Sequence, residues 1–262
     1  MKYLVGDIGN TLTKIALINS NFKIKEFYNI ETKKLKILRN RVIFFKKFKS
    51  QKLNNVVLFS SVVPTIYNTI KNDLKKKKFR VIEVKKLNLK KLIKFKVDDE
   101  KQLGSDRIAN AIGSYNIYKK DCLVIDFGTA TTFDIIKKPG IYCGGVIAPG
   151  VKLSIVNLNK FTALLPVLKL KKVKKSYGKN TKDALNSGFL WGYQGLINNI
   201  IKKIFLGSKT NYKIILTGGY ANFFKNYISK KTTIDKNITI KGIIRIYKEL
   251  VLWQKKNLFF AH

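Results

Sequence analysis

The sequence is poor in the residues from which many catalytic centres are built. Its 262 residues include two cysteines, Cys122 and Cys143, and one histidine, His262. These are too few soft ligands for a zinc site, and they exclude a Ser/His/Asp or Cys/His triad built on an interior histidine. We predict that both cysteines are small core residues in a reducing compartment.

Long apolar segments are also missing. No run of about 18 apolar residues occurs, and only Tyr3, Leu4 and Val5 separate Lys2 from Gly6, which is too short for a signal peptide. We therefore expect a cytoplasmic protein with no membrane partner. The hydrophobic fraction of 45% and the absence of a linker-like tract predict an ordered globular chain of two domains.

Acidic residues are scarce, since 15 Asp and Glu stand against 53 Lys and Arg, for a formal net charge of +38. Such an excess suggests a polyanion partner, and nucleic acid is the first candidate. Only five of the basic residues are arginines, however, and the lysines are scattered along the whole chain. We interpret the charge as the compositional bias of an A+T-rich genome and expect no specific nucleic-acid binding.

Two stretches of the chain share one design. VGDIGNTLTKIAL at 5–17 and VIDFGTATTFDII at 124–136 both predict a strand, an Asp-x-Gly turn rich in hydroxyls, and a return strand. A glycine lets backbone N–H groups approach a phosphate, and a carboxylate at the strand end holds a hydrated Mg²⁺. One such turn is usually structural, whereas the duplication predicts two hairpins that grip one polyphosphate.

The rest of the chain alternates between strand and helix patterns. The patterns predict strands at 53–63 and 79–84, a helix beginning near Gly104, a strand running into Gly144 and Gly145, a long helix capped by Asn180 or Thr181, and a strand ending at Gly218 and Gly219. This alternation indicates an α/β protein.

Taken together, the motifs resemble the superfamily of acetate and sugar kinases, actin and the Hsp70 ATPases, and within it the type III pantothenate kinases. The resemblance lies in DIGNT at 7–11, GSDRIAN at 104–110, DFGTATTFD at 126–134, GGVIAPG at 144–150, TALLP at 162–166, GKNTKDALNSG at 178–188 and LTGGYA at 216–221. It implies two ribonuclease-H-like domains, 1–117 and 118–262, flanking a nucleotide cleft. It also implies ATP-dependent phosphorylation of pantothenate to 4'-phosphopantothenate, the first step of coenzyme A biosynthesis.

The resemblance also implies a role for particular residues. It assigns contacts with ATP to Asp7, Ile8, Gly9, Asn10, Thr11, Leu12, Thr13, Lys14 and Thr129. It assigns contacts with pantothenate to Gly104, Ser105, Asp106, Arg107 and Thr181, with Asp106 as the proton acceptor. Asp126 would bind a monovalent cation, K⁺ or NH₄⁺, Mg²⁺ would accompany ATP, and the site would be assembled in a homodimer.

The chain departs from the family pattern at one place. The family usually has a tyrosine where this chain has Val97, and a proline where it has Glu100, so the substrate contact at Val97 is expected to be weakened. Asp106 is predicted in the first turn of a helix, beside Arg107. The helix N-terminus and the charge of Arg107 both favour the ionised form of Asp106. We therefore expect Asp106 to be a weak base.

Several of these residues also have a purely structural interpretation. Arg107 could form only a surface ion pair, Thr181 could be only a helix cap, and Asp134 could pair with a lysine. Two other functions stay open at this point. One is a DNA-binding protein, because some relatives in this family are named as accessory factors for transcription. The other is a kinase of the same fold that acts on another acyl or sugar alcohol.

Overall fold

The computed structural model describes residues 1–48, 52–173 and 176–251, so His262 lies outside the described residues. Contacts within the chain divide it into two compact units. Among the described residues, unit 1 contains Met1–Lys119, Pro139–Tyr142 and 237–251, and unit 2 contains Lys120–Lys138 and Cys143–Lys236. The extent of the domains, 1–117 and 118–262, stays a prediction.

Unit 1 is built around a mixed five-stranded sheet. Its strands are Lys2–Ile8 (β1), Leu12–Ile18 (β2), Ile24–Glu31 (β3), Leu53–Ser61 (β4) and Arg80–Glu83 (β5), in the order β3-β2-β1-β4-β5. The first three strands pair antiparallel, whereas β4 runs parallel to both β1 and β5. The carboxyl ends of β1, β4 and β5 therefore share one edge of the sheet. A two-residue strand, Lys94–Phe95 (β6), pairs in parallel with Ile141 and Tyr142.

The helices of unit 1 pack on this sheet through apolar faces. They are Leu38–Lys46 (α1), Pro64–Lys75 (α2), Ser105–Tyr118 (α3) and, near the end of the described chain, Ile238–Ile246 (α7), which continues as a π-helical turn over Tyr247–Val251. In α2, proline at the first position favours helix initiation, and Ile66, Ile70 and Leu74 recur on the buried face. Helix α7 packs along α3, where the Thr239 hydroxyl donates to Asn110 Oδ1 at 2.7 Å.

Unit 2 contains the second hairpin and the long helix that the sequence predicts. Its strands are Cys122–Phe127 (β7), Ala130–Lys137 (β8), the part of Ile141–Pro149 (β9) from Cys143 onward, Lys213–Gly218 (β10) and Thr232–Ile234 (β11). Its helices are Val151–Lys160 (α4), Thr181–Ser208 (α5) and Ala221–Phe224 (α6). Gly144 and Gly145 lie inside β9 rather than at its end, and the cap of α5 is Asn180, whose side chain accepts the N–H of Asp183 at 2.9 Å.

The two sheets repeat one topology. In unit 2 the order is β11-β10-β7-β8-β9, with β7 and β8 antiparallel and β10 parallel to both β7 and β11. Each sheet thus has a central strand that forms a hairpin on one side and a parallel pair on the other. The duplication predicted from the two Asp-x-Gly hairpins therefore extends to five strands of each sheet.

The two cysteines differ in environment. Cys122 is buried at the start of β7, and burial raises the pKa of its thiol to about 11, so it is an inert core residue as predicted. Cys143 is only part-buried, so its assignment to the core was wrong. Successive side chains along β9 point to opposite faces of the sheet. Tyr142, the residue before Cys143, points into the core, which explains why Cys143 is less buried.

Candidate active site

The turn of the first hairpin is held by a residue outside the motif. Between β1 and β2, the N–H of Gly9 donates to the carbonyl of Leu12 at 3.2 Å. The hydroxyl of Thr32 donates to the Gly9 carbonyl at 2.6 Å and lies 3.0 Å from the hydroxyl of Thr13. Asn10 and Thr11 at the tip are exposed. The turn is therefore braced from behind and presents polar groups outward.

Asp7 lies where the hairpin meets the parallel part of the sheet. It is 8% exposed, and it faces Lys14 across the antiparallel pair and Ser60 across the parallel pair. Ile8 and Thr13 are buried, and Leu12 and Lys14 are part-buried, so most of the predicted ATP-contacting segment supports the turn. In open α/β sheets, ligands bind outside the carboxyl ends of parallel strands. Asp7 stands at such an edge.

The segment Gly104–Arg107 is fixed to the same edge of the first sheet. Ser105, the first residue of α3, is buried, and its hydroxyl accepts the N–H of Ser61 at 2.8 Å and donates to the Ser61 carbonyl at 2.8 Å. The Ser60 hydroxyl is 3.2 Å away. Ser105 thus anchors the start of α3 to the end of β4, close in the sheet to Asp7.

Asp106 folds back over the residue that precedes the helix. Its Oδ1 accepts the backbone N–H of Arg107 at 2.8 Å, and a Cβ added to Gly104 would lie only 2.5 Å from that same oxygen. Any side chain at position 104 would therefore displace the carboxylate. Glycine at position 104 thus leaves this space to the carboxylate of Asp106.

The expectation that the surroundings of Asp106 favour its ionised form was wrong. Burial raises the pKa of Asp106 above its ordinary value, and the N–H and the charge of Arg107 lower it without reversing the shift. Desolvation disfavours the ionised form more than the helix terminus and the arginine favour it. Asp106 is therefore a better proton acceptor than its sequence neighbours indicate.

Arg107 is held by an aromatic ring of the same unit. Its guanidinium carbon lies 5.9 Å from the ring centroid of Tyr142, and the side chain is part-buried. Tyr142 is fully buried and packs on Phe95 of β6, with ring centroids 6.3 Å apart. Val97 follows this strand in a bend and is part-buried. The Arg107 side chain is thus more constrained than that of an arginine in a surface ion pair.

In unit 2, Asp126 occupies the place that Asp7 has in unit 1. It faces Thr132 across the hairpin and Thr217 across the parallel strand β10. Gly218 adopts a φ of +85°, and a Cβ there would lie 2.6 Å from Asp126 Oδ1, so glycine is required by both conformation and space. The buried Thr217 hydroxyl has no hydrogen-bond partner within the described residues. Carboxylate and hydroxyl oxygens are the ligands that hard cations prefer.

Thr129 and Thr181 are both exposed. Thr129 lies in the tip between β7 and β8, and Thr181 is the first residue of α5. Because the cap of α5 is Asn180, the hydroxyl of Thr181 is not needed for capping, and that structural interpretation was wrong. A cavity of about 420 Å³ in unit 2 is lined by Thr181 and by apolar residues of α4, α5 and their connection, Leu158, Leu165, Ala184, Leu185 and Phe189, with Gly188.

Three features of the site escaped the sequence analysis. They are the brace Thr32, the equivalent hydroxyls Ser60 and Thr217 across from the two hairpin aspartates, and the part-buried Glu83 at the end of β5. The hydroxyls lie on strands far from the hairpins in sequence, so only the strand pairing brings them there. Aligning the two halves strand by strand, with β4 matched to β10, could have found Ser60 and Thr217.

The residues fit a nucleotide that arrives with its own divalent ion. Taken by itself, the hairpin of each unit offers exposed donors beside a glycine at its tip and one carboxylate near the end of its first strand. Among the residues that the structure describes, no group of three or more His, Cys, Asp or Glu side chains converges on one point. Mg²⁺ is commonly held by one or two carboxylates together with substrate phosphates, and each hairpin by itself supplies one such carboxylate.

Comparison with known proteins is consistent with these features. A family model for type III pantothenate kinase matches residues 3–203. The type III pantothenate kinase of Pelagibacter ubique is 48% identical over 244 residues, 92% of this chain and 97% of that protein. No helix in the described ranges combines the length and apolar character needed to cross a membrane.

Two solved structures resemble the chain over most of its length. A Campylobacter jejuni protein described as a candidate Baf family transcriptional activator has a TM-score of 0.56 at 25% identity, covering 94% of this chain and 98% of that one. The inorganic polyphosphate/ATP-glucomannokinase of an Arthrobacter species has a TM-score of 0.51 at 12% identity, covering 93% and 97%. The second likeness concerns the fold alone.

Proposed function

Because this chain belongs to the type III pantothenate kinase family, we propose that it transfers the γ-phosphoryl group of ATP to the primary hydroxyl of pantothenate. The product is 4'-phosphopantothenate, and the reaction begins coenzyme A biosynthesis. The fold is that of the acetate and sugar kinase/Hsp70/actin superfamily. The observation that carries the proposal is the Gly104–Arg107 segment, which Ser105 fixes to the edge of the sheet where Asp7 lies.

The acceptor side of the reaction is assigned to the start of α3. Asp106 accepts the proton of the attacking hydroxyl, and the Arg107 guanidinium binds the substrate carboxylate, for which its planar donors are suited. Ser105 fixes the segment to β4, and Gly104, Ser105 and Val97 are assigned contacts with pantothenate. In phosphoryl transfer through a loose transition state, the nucleophile loses its proton late, so a well-placed carboxylate matters more than a strong base.

The nucleotide side is assigned to the two hairpins, each within its own unit. In unit 1, the segment Asp7–Lys14 contacts ATP through the tip that Thr32 braces. In unit 2, Thr129 contacts ATP, and Asp126 with Thr217 binds a monovalent cation, K⁺ or NH₄⁺. Bound Mg²⁺ and the monovalent cation supply positive charge that offsets the negative charge of the phosphates.

The proposal is tested by measuring ADP release from the purified chain in a coupled assay. ATP and Mg²⁺ are supplied with and without pantothenate, and other primary alcohols of acyl and sugar type are run alongside. We expect release that depends on pantothenate. If release depended instead on one of the other alcohols, the chain would be a kinase with a different acceptor. If no alcohol stimulated release, kinase activity itself would be refuted.

We also propose that the protein is a homodimer and that Thr181 helps to complete the pantothenate site in the dimer. Unit 2 exposes several large apolar side chains on α4 and the segment after it: Leu153, Val156, Phe161, Leu164 and Val167. Leu164 is 90% exposed and Phe161 is 77% exposed. Several large exposed apolar side chains in one stretch of chain are typical of an interaction site, and Leu158 and Leu165, which line the cavity with Thr181, belong to the same stretch.

The dimer proposal predicts that charge on this surface separates the subunits. Phe161→Glu combined with Leu164→Glu is expected to give a monomer by light scattering and to lose most pantothenate-dependent activity, because a charged side chain is costly to bury. Leu206→Glu is the matched control, since Leu206 is also exposed, at 64%, but lies near the end of α5. A wild-type monomer, or a double variant that stays dimeric, would refute the assignment.

The departure at Val97 predicts a weakened contact with pantothenate. Val97→Tyr is expected to lower the pantothenate KM with little change in kcat, because an aromatic ring adds contact area and one hydroxyl, together about 1 kcal/mol in binding. Initial rates at saturating ATP measure both constants. A raised KM would mean that the pocket near Val97 differs from that of the family.

A further inference from the structure

One buried side chain of α5 holds the chain on both sides of Gly150. Pro149 is the last residue of β9, Gly150 occupies the cap position of α4, and Ser154 lies in the first turn of that helix. The Tyr193 hydroxyl donates to the Pro149 carbonyl at 3.2 Å, and it lies 2.6 Å from the Ser154 hydroxyl. Tyr193 therefore ties the end of β9 to the start of α4.

The hydroxyl protons of this arrangement are fully used. Tyr193 has one hydroxyl proton, which the Pro149 carbonyl accepts, so Ser154 is the donor in the hydrogen bond between the two hydroxyls. Burial raises the pKa of Tyr193, and the hydrogen bond from Ser154 lowers it without reversing the shift. The Tyr193 hydroxyl is therefore protonated at neutral pH. Two hydrogen bonds thus run in sequence from Ser154 through Tyr193 to Pro149.

Gly150, between the two anchored residues, packs directly on the tip of the second hairpin. A Cβ added to Gly150 would collide with the carbonyl oxygen of Thr129 and would lie 2.8 Å from that of Gly128. Glycine permits the two backbones to approach this closely. Because they are in contact, a shift of Gly150 displaces the tip. The position of Thr129 therefore depends on how firmly the neighbours of Gly150 are held.

The ring of Tyr193 is fixed by aromatic packing in the core of unit 2. Tyr193 is 7% exposed, and its ring centroid lies 6.5 Å from that of Phe189 and 6.1 Å from that of Phe224. Phe224 stacks on Phe127, the residue before Gly128, with centroids 5.5 Å apart. A phenylalanine could occupy the same place as Tyr193. The hydroxyl alone therefore carries any role beyond packing.

We propose that Tyr193 is a positioning residue for the nucleotide contact of unit 2. By holding the chain on either side of Gly150, it keeps that residue against the hairpin tip and so sets the position of Thr129. This inference rests on the proposed function for the contact between Thr129 and ATP. Tyr193 acts through the backbone, as Thr32 does on the first hairpin, and small displacements of a positioned group reduce binding and rate strongly.

Tyr193→Phe tests the hydroxyl, because it keeps the ring. We expect the KM for ATP to rise, and the calorimetric affinity for ATP to fall, by about fivefold with an unchanged KM for pantothenate. Tyr247→Phe is the matched control, since Tyr247 of unit 1 is also buried and donates to the Val56 carbonyl at 2.9 Å. It should lower the unfolding temperature and leave ATP affinity unchanged. If Tyr193→Phe did no more than this, Tyr193 would be only a core residue.

A double-mutant cycle tests whether the two hydroxyls act as one unit. Ser154→Ala leaves the Tyr193 hydroxyl able to donate to Pro149, so we expect ATP affinity to stay within about twofold of wild type. Adding Ser154→Ala to Tyr193→Phe should cause little further loss, because phenylalanine has already removed both hydrogen bonds. Additive losses would show that Ser154 acts apart from Tyr193, and they would overturn the proposal.

Amide hydrogen exchange supplies a readout that needs no substrate. The Ser154 N–H donates to the Gly150 carbonyl at 2.9 Å and reports the first turn of α4. We expect faster exchange at this amide in Tyr193→Phe and wild-type exchange in Tyr247→Phe, and equal exchange in both variants would overturn the proposal. If the wild-type chain bound ATP but did not phosphorylate pantothenate, the proposed function would fail, while ATP affinity and exchange would still decide the role of Tyr193.

Discussion

Asp106→Asn is expected to lower kcat by about 10² or more while ATP still binds, since general-base contributions run from about 10² to 10⁴. Asparagine keeps the shape of the side chain and can still accept the Arg107 N–H through its amide oxygen, as Asp106 Oδ1 does at 2.8 Å. It loses the negative charge that receives the proton of the attacking hydroxyl. Steady-state rates and calorimetric ATP binding, measured on the same preparation, check both halves of this expectation.

The direction of the pKa shift of Asp106 predicts how the Asp106→Asn substitution affects stability. Because burial raises the pKa of Asp106, the folded state favours the protonated form, and this contribution to stability is lost as the pH rises through the folded-state pKa. Above that pKa, the ionised side chain of Asp106 lowers the stability of the folded state. The Asp106→Asn variant, neutral at this position, should unfold at the same temperature as wild type or higher, so lost activity could not be ascribed to unfolding.

The pH profile gives a second measurement of the same role. Asp106 accepts a proton only when ionised, so kcat/KM should fall as the pH is lowered through a pKa that burial raises above the ordinary aspartate value. Glu83 is another carboxyl of unit 1 with a raised pKa, and Glu83→Gln should leave this limb in place. Near-normal turnover in Asp106→Asn, or an acid limb that vanished in Glu83→Gln, would remove Asp106 from the role of proton acceptor.

The sequence was a good guide wherever the signal was local. Asp-x-Gly turns flanked by apolar runs predicted both hairpins, and the start of α3 was found from the spacing of Ile108, Ile112 and Tyr115. Such features depend on neighbours within a few residues, so one chain without relatives is enough to find them. The positions of Asp106 in the first turn of a helix and of Asp126 near the end of a strand followed from the same patterns.

The sequence was a poor guide wherever a property depends on distant residues. The pKa of Asp106 was expected on the wrong side of its ordinary value, because the helix terminus and Arg107 are visible in the sequence whereas burial is not. Thr32 braces Gly9 from 23 positions away, and α7 joins unit 1 although it follows unit 2 in the chain. These contacts are set by sheet order and helix packing, which no local pattern encodes.

The assignment of a monovalent cation to Asp126 leads to the second prediction with a large expected effect. K⁺ or NH₄⁺ is expected to raise the rate, whereas Na⁺, a smaller ion, should hardly do so. Asp126→Ala is expected to abolish this response and most of the rate, because it removes the one carboxylate at the end of β7. The buried Thr217 hydroxyl, which faces Asp126 across the strand pair, cannot replace that charge.

The test of this assignment uses a carboxylate from the other end of the same hairpin as its control. Asp121 accepts the Lys138 N–H at 2.7 Å, and Asp121→Ala should retain the response to K⁺. Binding supplies a readout apart from turnover: calorimetric affinity for ATP should rise with K⁺ in the wild type and in Asp121→Ala, and should be independent of K⁺ in Asp126→Ala. Equal rates and equal ATP affinities in K⁺, NH₄⁺ and Na⁺ would show that Asp126 binds no such cation, and would leave its close contact with Gly218 as a structural one.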